Sequence, residues 1–129
     1  MAPPLGLTLA ETLPEDAANA TLVGRAWLPG PQGGPCVVAV RGGQLVDITA
    51  HVPTMAALVA RPDRCVLARA AAGPVLGSLA AWLESTEAHG PDSAQCHLLA
   101  PCDLQVVKAA GVTFAASMLE RLIEEQARG

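Results

Sequence analysis

The sequence predicts an α+β fold, a small domain with a short mixed or antiparallel sheet covered by short helices. Three observations carry that expectation. The stretch CVVAVRGGQLVDIT, residues 36–49, sets two β-rich runs on either side of Gly42-Gly43, and both glycines can take the positive φ that a tight hairpin turn demands. Leu76, Leu79, Trp82 and Leu83 recur at helical spacing and read as a core-facing stripe. Phe114, Met118 and Leu122, with Ala115, Leu119 and Ile123 beside them, form a second apolar helix face.

In chain order, residues 1–20 are rich in Pro, Ala and acidic side chains without a sustained period, and they read as an extended or poorly ordered lead-in. TLVGRAWL, from Thr21, has the character of a strand. PGPQGGP closes it as a surface turn, since it lacks the Lys-Ser/Thr ending and the spacing of a phosphate-binding loop. After the Gly42-Gly43 hairpin, Thr54 is placed to cap a short helix, MAALVA, that Pro62 stops. RCVLARA, 64–70, reads as a further strand. Gly73-Pro74 opens a helix near 75–88 with Gly90 at its C-cap, and HLLAP supplies a short strand after the PDSAQ loop. DLQVVKAAGV is extended and leads into a last helix near 114–127.

A length of 129 residues supports one domain with a real core. Hydrophobic residues make up 51%, but many are Ala, and Trp27, Trp82 and Phe114 are the only aromatics. Base stacking has almost nothing to use, and a formal charge of −4 opposes a phosphate backbone, so no nucleic-acid partner is expected. Pro and Glu interrupt the first sixteen residues, which lack a basic start, and no run of about eighteen apolar residues occurs; neither a leader nor a membrane span is expected, and the chain reads as cytoplasmic.

The four cysteines, Cys36, Cys65, Cys96 and Cys102, show no CxxC pair. A metal site from Cys96, His97 and Cys102 is one reading. Reduced thiols in a cytosolic protein is the better one, because zinc sites show paired short spacings. His51 and His89 sit beside Pro- or Gly-containing turns and read as loop histidines.

The last helix carries Ser117, Glu120, Arg121, Glu124 and Arg128 away from its apolar face, with Thr113 as a possible N-cap. Arg121–Glu125 and Glu124–Arg128 are i,i+4 pairs worth a few tenths of a kcal/mol each, roughly, on an exposed helix. On spacing alone, a solvated charged face accounts for all of these residues. Glu124 and Glu125 are adjacent, so they point in different directions and do not make a metal site.

The run LLAPCDLQVVKAAGVTFAASMLERLIEEQARG resembles the junction region of the fumarylacetoacetate hydrolase family, and GRAWLPGPQGGPCVVAVRGGQLVDIT resembles that family's N-terminal domain. The likeness is greatest to bacterial members associated with 2-keto-3-deoxy sugar acids, the 2-keto-3-deoxyarabinonate dehydratase-like branch. The resemblance implies a division into the lead-in 1–20, an N-terminal α+β domain 21–100, and a junction with the first helix of an absent catalytic domain, 101–129. Many family members carry here a glycine, an Asn-Tyr pair and a helix with His-x-x-Glu, whose His and Glu activate water for carbon–carbon hydrolysis. Gly111 matches the glycine, Thr113-Phe114 the Asn-Tyr pair, and Glu120 the glutamate, while Ser117 stands in place of the histidine.

A serine hydroxyl cannot replace imidazole as a base near neutral pH. The dehydratase-like branch resembles this chain in having serine there. The resemblance therefore implies a lyase that removes water from a 2-keto-3-deoxy sugar acid, with Glu120 as proton carrier and Ser117 as a hydrogen-bond partner. Thr113, Phe114 and Arg121 would contact substrate. It also implies Mg2+ or Mn2+ held by carboxylates outside this chain, a homodimeric intact enzyme, and an inactive fragment in isolation. The alternatives are an acylpyruvate-type hydrolase of the same family and a non-catalytic packing or regulatory domain.

Overall fold

The computed structural model describes residues 3–111 and 115–128. Five strands, β1 (Leu22–Leu28), β2 (Gly34–Arg41), β3 (Gln44–Asp47), β4 (Val75–Ser78) and β5 (His97–Leu99), pair antiparallel throughout in the order β4-β3-β2-β1-β5. The described helices are α1 (Leu9–Thr12), α2 (Met55–Ala60), α3 (Arg64–Ala70), α4 (Leu79–His89) and α5 (Ala115–Arg128). The expected α+β class is the one observed.

The sheet is covered on both faces, and the alternation along β2 shows how. Val37 and Ala39 face one core with Val46, Ile48, Val52, Met55 and Leu58, beneath α2 and the partly buried Leu67 of α3. Val38 faces the other with Ala26, Leu45, Leu79, Trp82 and Leu83, beneath α4. A central strand buried on both sides needs an unbroken apolar run, which is why residues 37–40 read VVAV rather than alternating with polar residues. The β2–β3 hairpin closes through the Arg41–Gln44 pair, with Gly42 at φ 55° and Gly43 at φ 74°, as the sequence expects.

Thr54 caps α2 as expected, its hydroxyl accepting from the Ala57 amide at 3.0 Å. Two other stretches differ from expectation. RCVLARA forms α3, not a strand: Leu67 and Ala71, four residues apart, pack against the first core, Ala68 is buried, and Val66 is left 68% exposed. The helix expected near 75–88 starts only at Leu79, because Val75–Ser78 is a strand pairing with β3. Gly77 at φ 117° breaks helical geometry, and the Ser78 hydroxyl caps α4 by accepting from the Ala81 amide. At the far end of α4 the Gly90 amide donates to the Thr86 carbonyl, and a Cβ on Gly90 would lie 2.8 Å from that oxygen.

The described part of the lead-in also differs from the extended or poorly ordered segment expected. Thr8 caps α1, Leu7 and Leu13 pack on the second core, and the Glu87 carboxylate on α4 accepts from the Gly6 and Leu7 amides at 2.9 and 3.2 Å. The anchor is a residue far along the chain, invisible to any local reading. Among the described residues, no helix is long and apolar enough to cross a membrane.

Candidate functional site

The two residues expected to be catalytic, Glu120 and Ser117, lie on α5. Glu120 and Arg121 are exposed on it; position 117 is described for its backbone alone, and Thr113 and Phe114 lie outside the described residues. Every side chain described on α5 is exposed, including its apolar stripe: Met118, Leu119, Leu122 and Ile123 are each more than half exposed. The described residues show two ion pairs, Arg25–Asp103 and Arg61–Asp63, and neither expected i,i+4 pair of α5 is among them. The structure thus brings Glu120 and Arg121 together only as helix neighbours.

The junction leading to α5 is tied down at one point. Asp103 is only 9% exposed, and its two carboxylate oxygens accept from the Met55 and Ala56 amides at 2.7 and 2.9 Å. With Thr54 on Ala57, all three of the first amides of α2 are therefore satisfied by side chains. Arg25, in the middle of β1, places Nε 3.5 Å from Asp103 and donates from Nη1 to the Ala100 and Cys102 carbonyls. Burial alone would push the Asp103 carboxyl up. The Leu104, Met55 and Ala56 amides and the Arg25 charge outweigh it and hold the carboxyl below the usual aspartate range. Beyond this clamp the chain leaves the body: Leu104, Val106 and Val107 are all more than three-quarters exposed.

A cavity of about 190 Å³ opens beside the clamp, lined in part by Arg25, Cys36, Thr54 and Asp103. A thiol next to an arginine suggests a nucleophile, but the environment opposes it. Burial, the Asp47 charge and a hydrogen bond with Asp47 raise the Cys36 pKa, against a smaller opposing effect of Thr49. Asp103 in turn is ionised and fully engaged with amides, so it has no proton to give. The cluster is structural.

Cys96, His97 and Cys102 do not converge on a metal site. His97 is stacked on Trp27 with ring centroids 6.3 Å apart, and its Nδ1 lies 2.9 Å from the Gln95 carbonyl. Cys96 lines the second core and Cys102 is exposed. Among the described residues, no group of three or more His, Cys, Asp or Glu side chains is placed to hold a metal ion.

Sequence reasoning missed the Arg25–Asp103 clamp, yet one signal was present: Arg25 is the lone charge inside an apolar strand run, and a half-buried charge needs a partner. Comparison with protein-family models, curated proteins and solved structures finds no match to this chain.

Proposed function

We propose that this chain is the N-terminal portion of a fumarylacetoacetate hydrolase-family enzyme, a cytoplasmic, metal-dependent dehydratase of a 2-keto-3-deoxy sugar acid. The observation that carries the reading is the contrast across Asp103. Before it lies a sheet closed on both faces; after it comes a fourteen-residue helix with an uncovered apolar stripe. A helix of this kind gains most of its stability from covering such a stripe. In this proposal the covering surface is the enzyme's catalytic domain, which turns the opposite, polar side of α5 toward substrate.

On that side Glu120 carries the proton and Ser117 hydrogen-bonds substrate or water. Thr113 and Phe114 border the substrate, and Arg121 contacts its carboxylate. The described donor set does not fit a magnesium site: Glu120, Glu124 and Glu125 stand exposed on one helix without further oxygen ligands around them. The Mg2+ or Mn2+ of the proposed homodimeric enzyme would be held by residues of the catalytic domain. This chain in isolation would be inert.

The test uses the gene product that carries both domains, assayed on a 2-keto-3-deoxypentonate with and without divalent metal. Loss of water with the carbon skeleton intact is expected, and Glu120→Gln should lower turnover by roughly 10²–10⁴-fold, the usual effect of losing a general acid–base group. Carbon–carbon cleavage products would replace the dehydratase with the hydrolase. Near-normal turnover of Glu120→Gln would remove Glu120 from the chemistry.

A further inference from the structure

A cavity of about 740 Å³ lies between the 17–22 segment, the β2–β3 turn and the end of α3. Its lining includes two arginines, Arg41 and Arg69, and no Asp or Glu. The chain carries 12 acidic against 8 basic residues, so two guanidinium groups in one acid-free hollow run against the overall balance. Glu15 and Asp16 are close in sequence, but neither lines the cavity.

Both guanidinium groups are fixed by one edge. Arg41 donates from Nε to the Ala68 carbonyl at 3.0 Å, an acceptor in the last turn of α3. Arg69 donates from Nε to the Thr21 hydroxyl at 2.6 Å and from Nη2 to the Asn19 carbonyl at 3.3 Å. Neither arginine is among the ion pairs of the described residues, and Arg41 Nη2 is enclosed without a hydrogen-bond partner. Arg41 is half-buried and Arg69 exposed. A half-buried positive charge without a counter-charge is costly, and a guanidinium already held in place loses little freedom when an oxyanion docks on the donors that face the cavity. The rest of the wall is apolar, with Leu13, Leu22 and Val40.

We propose that this cavity is a binding site for a small organic oxyanion. Its carboxylate or phosphate group sits against Arg41 and Arg69, and its aliphatic body lies along Leu13, Leu22 and Val40. The site is separate from α5, none of whose residues lines it, so it stands or falls independently of the dehydratase reading.

The experiment is an amide NMR titration of the 129-residue chain. The probes are sodium pyruvate and, separately, sodium phosphate, each against sodium chloride at matched ionic strength. Saturable shifts at Asn19, Thr21, Gly42 and Gly43 are expected with at least one probe and not with chloride. Saturation by pyruvate alone assigns a carboxylate ligand, and saturation by phosphate alone a phosphate ester. Arg69→Gln, at an exposed position, should leave the core amides in place and weaken binding about tenfold, the loss of one charge-assisted hydrogen bond. Arg41→Lys keeps the charge but removes the fork, and should weaken binding as well. Absence of saturation through the millimolar range, equal shifts with chloride, or unchanged affinity in Arg69→Gln would overturn the proposal.

Discussion

Arg25 and Asp103 meet with Nε 3.5 Å from Oδ2, joining the middle of β1 to the segment that follows β5. The same carboxylate holds the first amides of α2, so one side chain fastens a strand, a helix start and the root of the junction. No other residue described in the 100–111 stretch is engaged with so many elements. It marks where the body ends and the path to α5 begins.

Removing that carboxylate should loosen the root. In Asp103→Ala the Met55 and Ala56 amides lose their acceptors, and their hydrogen-exchange protection should fall several-fold while β2 amides stay protected. The pH dependence has a definite sign. Because the folded carboxyl lies below the usual aspartate value, its contribution is complete above the unfolded value, roughly 3.9, and is lost as pH falls through the lowered folded one. Protection at Met55 and Ala56 should therefore stay level from neutral to mildly acidic pH and collapse only in strong acid. A decline already near neutrality would show that another group governs the clamp.

The two cores make a graded stability prediction. Leu83, 2% exposed on α4, should cost about 2–5 kcal/mol when cut to Ala, whereas Val66→Ala, at a residue 68% exposed on α3, should stay within about 0.5 kcal/mol. Urea unfolding of both variants is the measurement. Equal midpoints would mean that α4 does not cover the sheet.

The apolar stripe of α5 separates a packed helix from an idle one. Leu122→Glu should leave the urea midpoint of this chain unchanged, since Leu122 is 52% exposed here. If a catalytic domain covers α5 as proposed, the same change in the two-domain protein should destabilise it or impair its assembly, because a charge would be buried without a partner. An indifferent two-domain protein would leave the stripe without the covering surface proposed for it.

Much of the fold was legible wherever a local signal sufficed. Gly42-Gly43 announced its hairpin, Thr54 its helix, and Trp82 with Leu83 their buried face. The failures came where one short apolar run fits two periods. Leu67 and Ala68 are locally compatible with a strand, yet they lie on a helix whose Leu67 packs on the cluster containing Val46, and Leu76 joins the stripe of Leu79 and Leu83 although its backbone is extended. Contacts between distant residues left almost no trace in the sequence. Glu87 reaches the Gly6 amide and Arg69 reaches Thr21 with nothing nearby to distinguish them, and of Arg25–Asp103 only the lone charge in its apolar strand run gave a sign. The candidate site on α5 came from resemblance and from helix spacing, and only its helical placement is a matter of backbone geometry.

The strand order carries a consequence for how the molecule is made. Strands β1 to β4 each lie beside their neighbour in sequence, but β5 must return to the open side of β1. As the nascent chain leaves the ribosome, the Leu22–Leu28 edge therefore waits, unpaired, until His97–Leu99 arrives, and an unpaired edge is a template for a second chain. A released chain truncated after Cys96 should then aggregate more readily and be cleaved faster by protease than one that extends past Asp103. The three residues of β5 cover that edge and leave a shorter one in its place.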